Sequence, residues 1–416
     1  MVNAERIPNG YRITEAGILP AEWQVKRLSE VATELTERAG HDMYETVSIS
    51  AGIGFVNQAK KFGKELSGKQ YEKYIVLHKG DFSYNKGNSK TSPQGCIYRL
   101  NDRESAAVPN VFESFRIKEQ DADYYEQLFL SGFLNKQLYS RINRGVRDDG
   151  LLNLTGKDFY GCMVPVPPKD EQKRIAEVLL CCDRVIDLKQ QLIAELQRLK
   201  NGFLQTMFPT KGRSKPNIRF PGFVDAWEQR KLGDIVDIYD GVHQTPDYQD
   251  SGIMFLSVEN ISTLRSNKYI SVEAFERDYK VYPEKGDILM TRIGDIGTTN
   301  VIESTEKVAF YVSLALLKAK TTNPYFLSNA MKNEVFQKGL RQRSLLTAIP
   351  QKINKDEIGK TDIFITVNPK EQEKIGEYFK NIDNLITLNQ RELEEMKKKK
   401  KSLAKLLLTG GVRVPT

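Results

Sequence analysis

The sequence predicts an α+β fold: two duplicated globular domains, each followed by a long helix, with the two helices pairing as a coiled coil. Three observations predict this organisation. The chain has 416 residues and a mass of 47.5 kDa, which exceeds one ordinary domain core. Sequence blocks recur at a spacing near 200 residues. Each half also closes with a stretch whose apolar residues alternate at intervals of four and three, as in a coiled-coil seam.

Three sequence blocks occur twice and in the same order. Each half opens with a Trp-x-x-x-x-Leu block, continues with Lys-Gly-Asp, and closes with a proline followed by Glu-Gln. The matching blocks are 23–31 with 227–235, 79–82 with 285–288, and 168–172 with 369–372. The spacing is far longer than a solenoid repeat, so the repeated unit is a domain with its connecting helix. Because both tryptophans precede an amphipathic stretch, we expect Trp23 and Trp227 to lie in domain cores.

Each domain body contains short β-type runs at hairpin-like intervals, broken by a helical stretch. These features predict a twisted, mostly antiparallel sheet with helices. The runs are 74–77, 95–98 and 111–117 in the first body, and 288–290, 308–312 and 363–367 in the second. The helical stretches lie near 124–144 and 325–341, and the polar stretch 209–216 predicts a linker. The predicted divisions are 1–165, 166–208, 209–366 (beginning with the linker) and 367–416.

The closing segments, about 171–207 and 371–408, predict two long helices that pack on each other. The residues expected to pair them are Ile175, Leu179, Ile186, Ile193, Leu196 and Phe203 in the first helix, and Ile375, Phe379, Ile382, Ile386, Leu393, Met396 and Leu403 in the second. The two stripes are offset by 200, and so are their polar interruptions, Lys189 with Asn389 and Lys200 with Lys400. Matched interruptions favour mutual pairing. Two independent amphipathic helices on separate cores are the alternative.

The composition argues against several chemistries. A net charge of +8 and a pI near 9.0 permit contacts with nucleic-acid phosphates. Three dispersed histidines, no Cys-x-x-Cys pair and no glycine-rich phosphate loop argue against a metal or nucleotide site. No apolar run approaches the roughly 20 residues of a membrane span, and four cysteines suit a reducing compartment. Because the first residues lack an apolar stretch, we expect no secretory signal. We therefore expect a cytoplasmic, non-catalytic chain without a metal.

The repeated blocks resemble the specificity subunit of type I restriction–modification enzymes. The resemblance is carried by the Trp-x-x-x-x-Leu-x-(Asp/Glu)-(Ile/Val) entry, the Lys-Gly-Asp strand start and the Pro-x-x-x-(Glu)-Gln-x-x-Ile helix opening. Each is present twice, and together they span essentially the whole chain. In the second half, the run from Asp240 to Pro246, with 252–256, is similar to one common in the family's target-recognition domains. The first half lacks this run, so we expect the two domains to recognise different sequences.

The resemblance implies a division of labour among several subunits. Each domain would recognise one part of a split site in double-stranded DNA, and the helices would pair antiparallel as a spacer about a pseudo-twofold axis. The implied partners are two methyltransferase subunits, which use S-adenosylmethionine to form N6-methyladenine, and restriction subunits, which use ATP and Mg²⁺. The implied role is bacterial defence. The chain itself would hold no cofactor and no catalytic residue.

Candidate DNA-contacting residues lie in polar loops and at helix ends. Glycine lets the backbone approach phosphate, lysine neutralises phosphate, asparagine pairs with adenine, and arginine reads guanine. The loop after the first Lys-Gly-Asp strand and its duplicate are the leading candidates; for His243 and Gln244 a turn-capping role is an equal alternative. The predicted residues are Asn85, Lys86, Asn88, Lys90, Thr91, Ser92, Arg144 and Arg147, and, in the second domain, His243, Gln244, Arg292, Thr298, Thr299, Arg341 and Arg343.

A DNA-binding regulatory or scaffold protein that dimerises through its coiled coil is the competing hypothesis. It accounts for the charge, the coiled coil and the missing catalytic motifs. It accounts less well for two divergent copies in one chain, because homodimers obtain twofold symmetry by pairing identical chains.

Overall fold

The computed structural model describes residues 7–64, 68–87, 89–142, 151–345 and 347–414, which belong to two compact units. The first unit contains the chain up to Leu188 and again from Leu393 onward, and the second contains Lys189–Glu392. Each unit therefore holds one domain body and a part of each long helix. The predicted divisions, in contrast, kept each helix whole.

The first unit consists of short strands and helices that lead into the first long helix. Its strands are β1 (Tyr11–Thr14), β2 (Gly17–Pro20), β3 (Gln24–Arg27), β4 (Ala32–Glu34), β5 (Val47–Ser50), β6 (Gly54–Asn57), β7 (Ile75–His78), β8 (Phe82–Asn85), β9 (Cys96–Arg99), β10 (Ser105–Val108), β11 (Glu113–Ile117) and β12 (Met163–Val166). Its helices are α1 (Leu28–Val31), α2 (Gln58–Phe62), α3 (Ala122–Leu130), α4 (Asn135–Arg141), α5 (Gly156–Tyr160) and the start of α6 (Lys169–Thr206).

The second unit follows a similar order. Its strands are β13 (Glu228–Lys231), β14 (Val236–Asp240), β15 (Ile253–Leu256), β16 (Tyr269–Ile270), β17 (Ile288–Thr291), β18 (Thr299–Val301), β19 (Val308–Phe310), β20 (Leu314–Ala319) and β21 (Asp362–Ile365). Its helices are α7 (Leu232–Ile235), α8 (Val272–Asp278), α9 (Pro324–Lys332), α10 (Glu334–Arg343), α11 (Lys355–Gly359) and the first part of α12 (Pro369–Leu408).

Each unit is organised around a four-stranded antiparallel sheet. The strand order is β4-β11-β8-β9 in the first unit and β14-β20-β17-β18 in the second, so equivalent strands occupy equivalent places. The mostly antiparallel α+β fold is thereby confirmed, although β15 and β19 pair in parallel. The run predicted over 308–312 ends as a strand at Phe310, because a turn follows in which the Leu314 N–H donates to the Tyr311 carbonyl at 2.9 Å.

The two tryptophans lie in the cores, as predicted. Trp23 is fully buried with the aromatic side chains of β8 and β11, where the Phe82 and Phe115 rings stack at 5.4 Å. Trp227 is 3% exposed and contacts Phe208 edge-on at 5.6 Å. A long helix completes each core, since apolar residues at the end of α12 enter the first core and those at the end of α6 enter the second. This burial supplies most of the favourable free energy of folding.

The Glu-Gln pair at the start of each long helix has a structural role. Gln172 accepts a hydrogen bond from the Asp121 N–H at 3.1 Å and donates to the Pro167 carbonyl at 2.7 Å. Gln372 accepts a hydrogen bond from the Asn323 N–H at 2.8 Å and donates to the carbonyl of Thr366, the residue after β21, at 2.7 Å. The duplicated Gln therefore fastens the helix start to the cap of α3 or α9.

The long helices pair antiparallel within each unit. In the second unit Lys189 binds Glu392 and Lys200 binds Asp383, each at 2.5 Å. Residue numbers therefore decrease along α12 as they increase along α6, which shows that the helices are antiparallel. In the first unit Lys400 forms an ion pair with Asp183. The polar interruptions at the lysine positions are therefore ion-paired. Of the predicted seam residues, eight are buried (Ile175, Leu179, Ile193, Ile375, Phe379, Ile382, Ile386, Leu393) and five half-buried (Ile186, Leu196, Phe203, Met396, Leu403).

Candidate nucleic-acid interface

The Lys-Gly-Asp blocks form the turns that lead into β8 and β17. The Asp81 carboxylate accepts the backbone N–H three residues earlier at 2.7 Å and two bonds from Arg116 at 2.6 and 2.9 Å. Asp287 repeats the backbone bond at 2.8 Å and binds Lys318 at 2.5 Å. Gly80 has φ 96°, a left-handed conformation that favours glycine. The motif is thus structural: it positions the strand whose far end carries the candidate loop.

At the end of β8, the first two candidate residues are engaged inside the protein. The Asn85 side chain donates to the Ile49 carbonyl at 3.1 Å and accepts from the Gly87 N–H at 2.8 Å. Lys86 forms an ion pair with Glu113 at 2.6 Å, and both side chains are largely buried. These bonds give Asn85 and Lys86 an internal role.

The tip of the same loop is accessible. Lys90 and Thr91 are exposed and Ser92 is half-buried. The Ser89 hydroxyl lies 3.3 Å from that of Thr91 and accepts the Ser92 N–H at 3.0 Å, which gives the tip a defined turn. Asn88 lies outside the described residues. Lys90 and Thr91 therefore keep side chains available for phosphate or base contacts.

In the second domain the equivalent loop begins with a buried arginine. Arg292 forms an ion pair with Asp240, and its Nε donates to the Ile353 carbonyl at 3.2 Å. Burial lowers the pKa of the guanidinium below its usual value. The side chain is 9% exposed, so Arg292 too has an internal role.

The two predicted threonines of this loop differ in accessibility. Thr298 is exposed, and its hydroxyl donates to the Asp295 carboxylate at 2.7 Å. Thr299 is buried, and its hydroxyl lies 2.9 Å from that of Ser328. Of the pair, Thr298 alone presents its side chain to solvent.

His243 and Gln244 are both exposed, and within the described part of the chain neither side chain has a hydrogen-bond partner. The turn-capping alternative is therefore not observed for the described residues. Gly241, which leads into them, approaches the backbone so closely that a Cβ there would lie 2.5 Å from the Phe310 carbonyl oxygen. This approach explains the glycine in the Asp-Gly-Val-His run.

The candidate arginines at the helix ends occupy different environments. Arg341 is exposed, whereas Arg343 binds Glu357 at 3.2 Å. Arg343 lines a groove of about 1010 Å³ with Lys211 and Lys338, and no other candidate residue of that domain lines it. Arg144 and Arg147 lie outside the described residues.

Sequence reasoning missed the residues that hold the loops in place. Glu113 and Asp240 supply the carboxylates for Lys86 and Arg292, although Asp240 belonged to a run already recognised. Ile353 was missed as well. The available signal was the equal spacing of the two cations from their Lys-Gly-Asp blocks, which identifies Lys86 and Arg292 as equivalent positions.

Among the described residues, no group of three or more His, Cys, Asp or Glu side chains is arranged to hold a metal ion. In the same part of the chain, no helix combines the length and apolarity needed to cross a membrane.

The duplicated domains, the antiparallel helices and the exposed polar loops define a two-domain recognition protein. Residues 20–198 and 225–398 match the family described as type I restriction modification DNA specificity domain. The chain belongs to this family and is a DNA specificity subunit. This assignment favours the specificity role over the regulatory or scaffold hypothesis.

Relatives of similar sequence agree with the assignment, and solved structures share the fold. The chain is 26% identical over 318 residues to the MjaVIII specificity subunit of Methanocaldococcus jannaschii, covering 71% of this chain and 72% of the relative. It is 24% identical to the putative MjaX specificity subunit of the same organism, covering 98% and 97%. The fold is similar to the type I restriction–modification S subunit from M. genitalium (TM-score 0.59, 14% identity, 97% and 98% covered). It is also similar to a chain in a solved structure that describes complex assembly and conformational transition of the type I restriction–modification system (TM-score 0.57, 17% identity, 95% and 99% covered).

Proposed function

We propose that this chain recognises a split, gapped site in double-stranded DNA, with one half-site for each domain. The observation that carries the proposal is the pair of divergent loops on a common frame. Both domains share the sheet order and the Lys-Gly-Asp turn, yet the loop after β8 exposes Lys90 and Thr91, whereas the equivalent loop after β17 exposes Thr298. The loop after β14 adds exposed His243 and Gln244. Different side chains at equivalent sheet edges suit two different target sequences.

We also propose that the chain is non-catalytic and holds partners that perform the chemistry. These would be two methyltransferase subunits, which bind S-adenosylmethionine and form N6-methyladenine, and restriction subunits, which use ATP and Mg²⁺. The two equivalent domain-and-helix units support two equivalent docking sites for the methyltransferase. The complex would work in the cytoplasm.

The test is a single-molecule methylation map of the host genome with and without this gene. We expect N6-methyladenine to disappear from one gapped, bipartite motif when the gene is deleted. Changing Lys90 and Thr91 to alanine should alter one half of that motif and leave the other half intact. A map that does not change on deletion, although the methyltransferase is expressed, would contradict the proposal.

The length of the paired helices offers a second test, because a rigid spacer should set the gap between the half-sites. A seven-residue insertion near Gln190 with a matching insertion near Arg391 preserves the heptad seam and lengthens the pair by about 10 Å. We expect the gap to grow by about three base pairs at roughly 3.4 Å each. An insertion in one helix alone is the control, since it breaks the seam and should abolish methylation. Unchanged gap length in the matched variant would contradict the spacer role.

A further inference from the structure

The residue that follows an inner strand of the four-stranded sheet is a largely buried cation in both domains. Lys86 follows β8 and Arg292 follows β17, and both lie the same distance beyond their Lys-Gly-Asp blocks. Their side chains are 16% and 9% exposed. A cation at this depth is costly unless it is paired, so each position requires a carboxylate.

The two domains supply that carboxylate from different strands. In the first domain it is Glu113 of β11, opposite Tyr84 of β8. The equivalent position in β20 is Ala315, which lies opposite Met290 of β17. Alanine carries no charge and cannot supply the carboxylate. The carboxylate comes instead from the neighbouring strand, where Asp240 of β14 pairs with Ala315. The same ion pair at the same place with unrelated carboxylates indicates that the pair meets a requirement common to both domains.

Each cation fastens a second loop to the strand end. The Lys86 carbonyl accepts the Leu152 N–H at 2.9 Å, and Lys86 Nζ donates to the Leu154 carbonyl at 3.3 Å. The Arg292 carbonyl accepts the Ile353 N–H at 3.0 Å, and Arg292 Nε donates to the Ile353 carbonyl at 3.2 Å. In both domains the fastened segment is the one that precedes α5 or α11.

The exposed candidate residues lie in the loops joined by these contacts. In the second domain, Asp240 ends β14 directly before the run with His243 and Gln244. The loop that begins with Arg292 carries exposed Thr298 and is further held where the Gly294 N–H donates to the Gln351 carbonyl at 2.8 Å. The ion pair therefore sits where three surface loops meet.

We propose that Arg292 with Asp240, and Lys86 with Glu113, are positioning residues for target recognition. Each ion pair fixes the loops with which its own domain recognises its half-site, and neither cation contacts DNA. The inference rests on the proposed split-site function, and it adds which internal ion pairs set the specificity of each half.

The experiment uses the complete complex with its methyltransferase partner and compares the methylation motifs of variants. We expect Arg292→Met and Asp240→Asn to relax several positions of one half-site, with an about tenfold loss of discrimination against single mismatches. The other half-site should not change. The double variant should be no worse than either single variant, because both remove the same interaction. Lys86→Met and Glu113→Gln should relax the opposite half-site in the same way.

Two further measurements separate positioning from direct contact. Removing a cation that contacts phosphate should reduce the magnitude of the log–log slope of DNA affinity against salt by about 0.9, whereas removing a positioning residue should leave the slope unchanged. Arg230→Met removes an exposed arginine outside these loops and is the matched control; it should leave the motif intact. Arg292→Lys and Lys86→Arg keep the ion pairs and should retain most of the discrimination.

The outcomes distinguish this inference from the proposed function. Absence of any bipartite motif with the wild-type chain contradicts the proposed function. A wild-type motif that Arg292→Met leaves unchanged, or that Asp240→Asn fails to relax, overturns the positioning role. If Arg292→Met yields no folded complex, Arg292→Gln keeps a hydrogen-bond donor for the Ile353 carbonyl but removes the charge that pairs with Asp240. A wild-type motif in that variant would equally overturn the inference.

Discussion

The starts of the two long helices bury the same glutamate but satisfy it with different partners. In the first unit, Glu171 accepts the Trp23 indole N–H at 2.9 Å and two bonds from Arg413 at 2.6 and 2.8 Å. In the second unit, Glu371 accepts two bonds from Arg219 at 2.5 and 2.8 Å. The arginine in each case follows the end of the opposite helix, so the end of one helix is fastened to the start of the other.

The two units differ in the hydrogen bonding of the tryptophan indole near this glutamate. In the second unit, the hydroxyl of Thr366 donates to Glu371 at 2.5 Å, and the Trp227 indole N–H finds no hydrogen-bond partner among the described residues. The equivalent of Thr366 in the first unit is Pro167, since both carbonyls accept a bond from the helix-start glutamine. Proline has no hydroxyl to compete with the indole. One substitution thus redirects a buried network without changing the fold around it.

The largest expected difference between the units comes from removing the glutamates. Glu371→Ala should lower the free energy of unfolding by about 3–5 kcal/mol, because it leaves Arg219, 13% exposed, without its counter-charge. Glu171→Ala should cost less, about 1–3 kcal/mol for the unpaired indole, because Arg413 is 40% exposed and water can solvate it.

Urea denaturation followed by hydrogen exchange of peptides from each unit measures these losses separately. The matched controls are Glu373→Ala and Glu177→Ala, which remove exposed glutamates from the same helices. Equal losses in the two units, or a larger loss for Glu171→Ala, would show that burial of the arginine does not set the cost.

The second difference concerns pH. Burial and the nearby Lys200 lower the pKa of Lys332 to about 8, whereas the equivalent end of α3 carries Leu130. Unfolded lysine titrates near 10.4, so between about pH 8 and 10 the unfolded chain binds more protons than the folded chain. The stability of the second unit should therefore rise as the pH rises through this window, and the first unit should show no such increase from this position.

Lys332→Leu tests whether Lys332 causes this pH dependence, because it places in the second unit the residue type that the first unit has at Leu130. We expect the second unit to gain up to about 3 kcal/mol at pH 7 and to lose its increase in stability above pH 8. Lys136→Leu, at an exposed lysine of the first unit, is the control and should leave the pH profile unchanged. A profile that still rises in Lys332→Leu would assign the effect to another group.

The sequence predicted the parts of the fold that depend on local periodicity. The heptad stripes and their matched polar positions placed both long helices, α6 and α12, to within two residues of their observed ends. The Lys-Gly-Asp blocks correctly marked strand starts, because the turn is built within a few residues of chain by Asp81 and Gly80. Contacts between residues only a few positions apart can be predicted from a single sequence.

The loops were harder because their contacts span the sheet. A basic residue after a strand, such as Lys86 or Arg292, has the same local signature whether it contacts phosphate or a carboxylate of its own domain. Asp240 precedes Arg292 by 52 residues and reaches it through the pairing of β14 with β20. Only the register of the assembled sheet shows that the cation is internal. Exposure at Lys90 or Thr298, likewise, is a property of the packed domain.

The smallest expected effect tests the tryptophan exchange itself. Thr366→Val removes the competing hydroxyl and should free a Glu371 oxygen for the Trp227 indole, so one hydrogen bond replaces another. The free energy of unfolding should then change by less than about 1 kcal/mol. The Trp227 indole N–H resonance should move downfield and exchange more slowly with solvent. Thr361→Val, which removes a buried hydroxyl bonded to a neutral carbonyl at 3.1 Å, should leave that resonance in place. A destabilised Thr366→Val protein with an unchanged indole signal would mean that the glutamate cannot serve both partners in turn, and that the difference between the two units extends beyond this one residue.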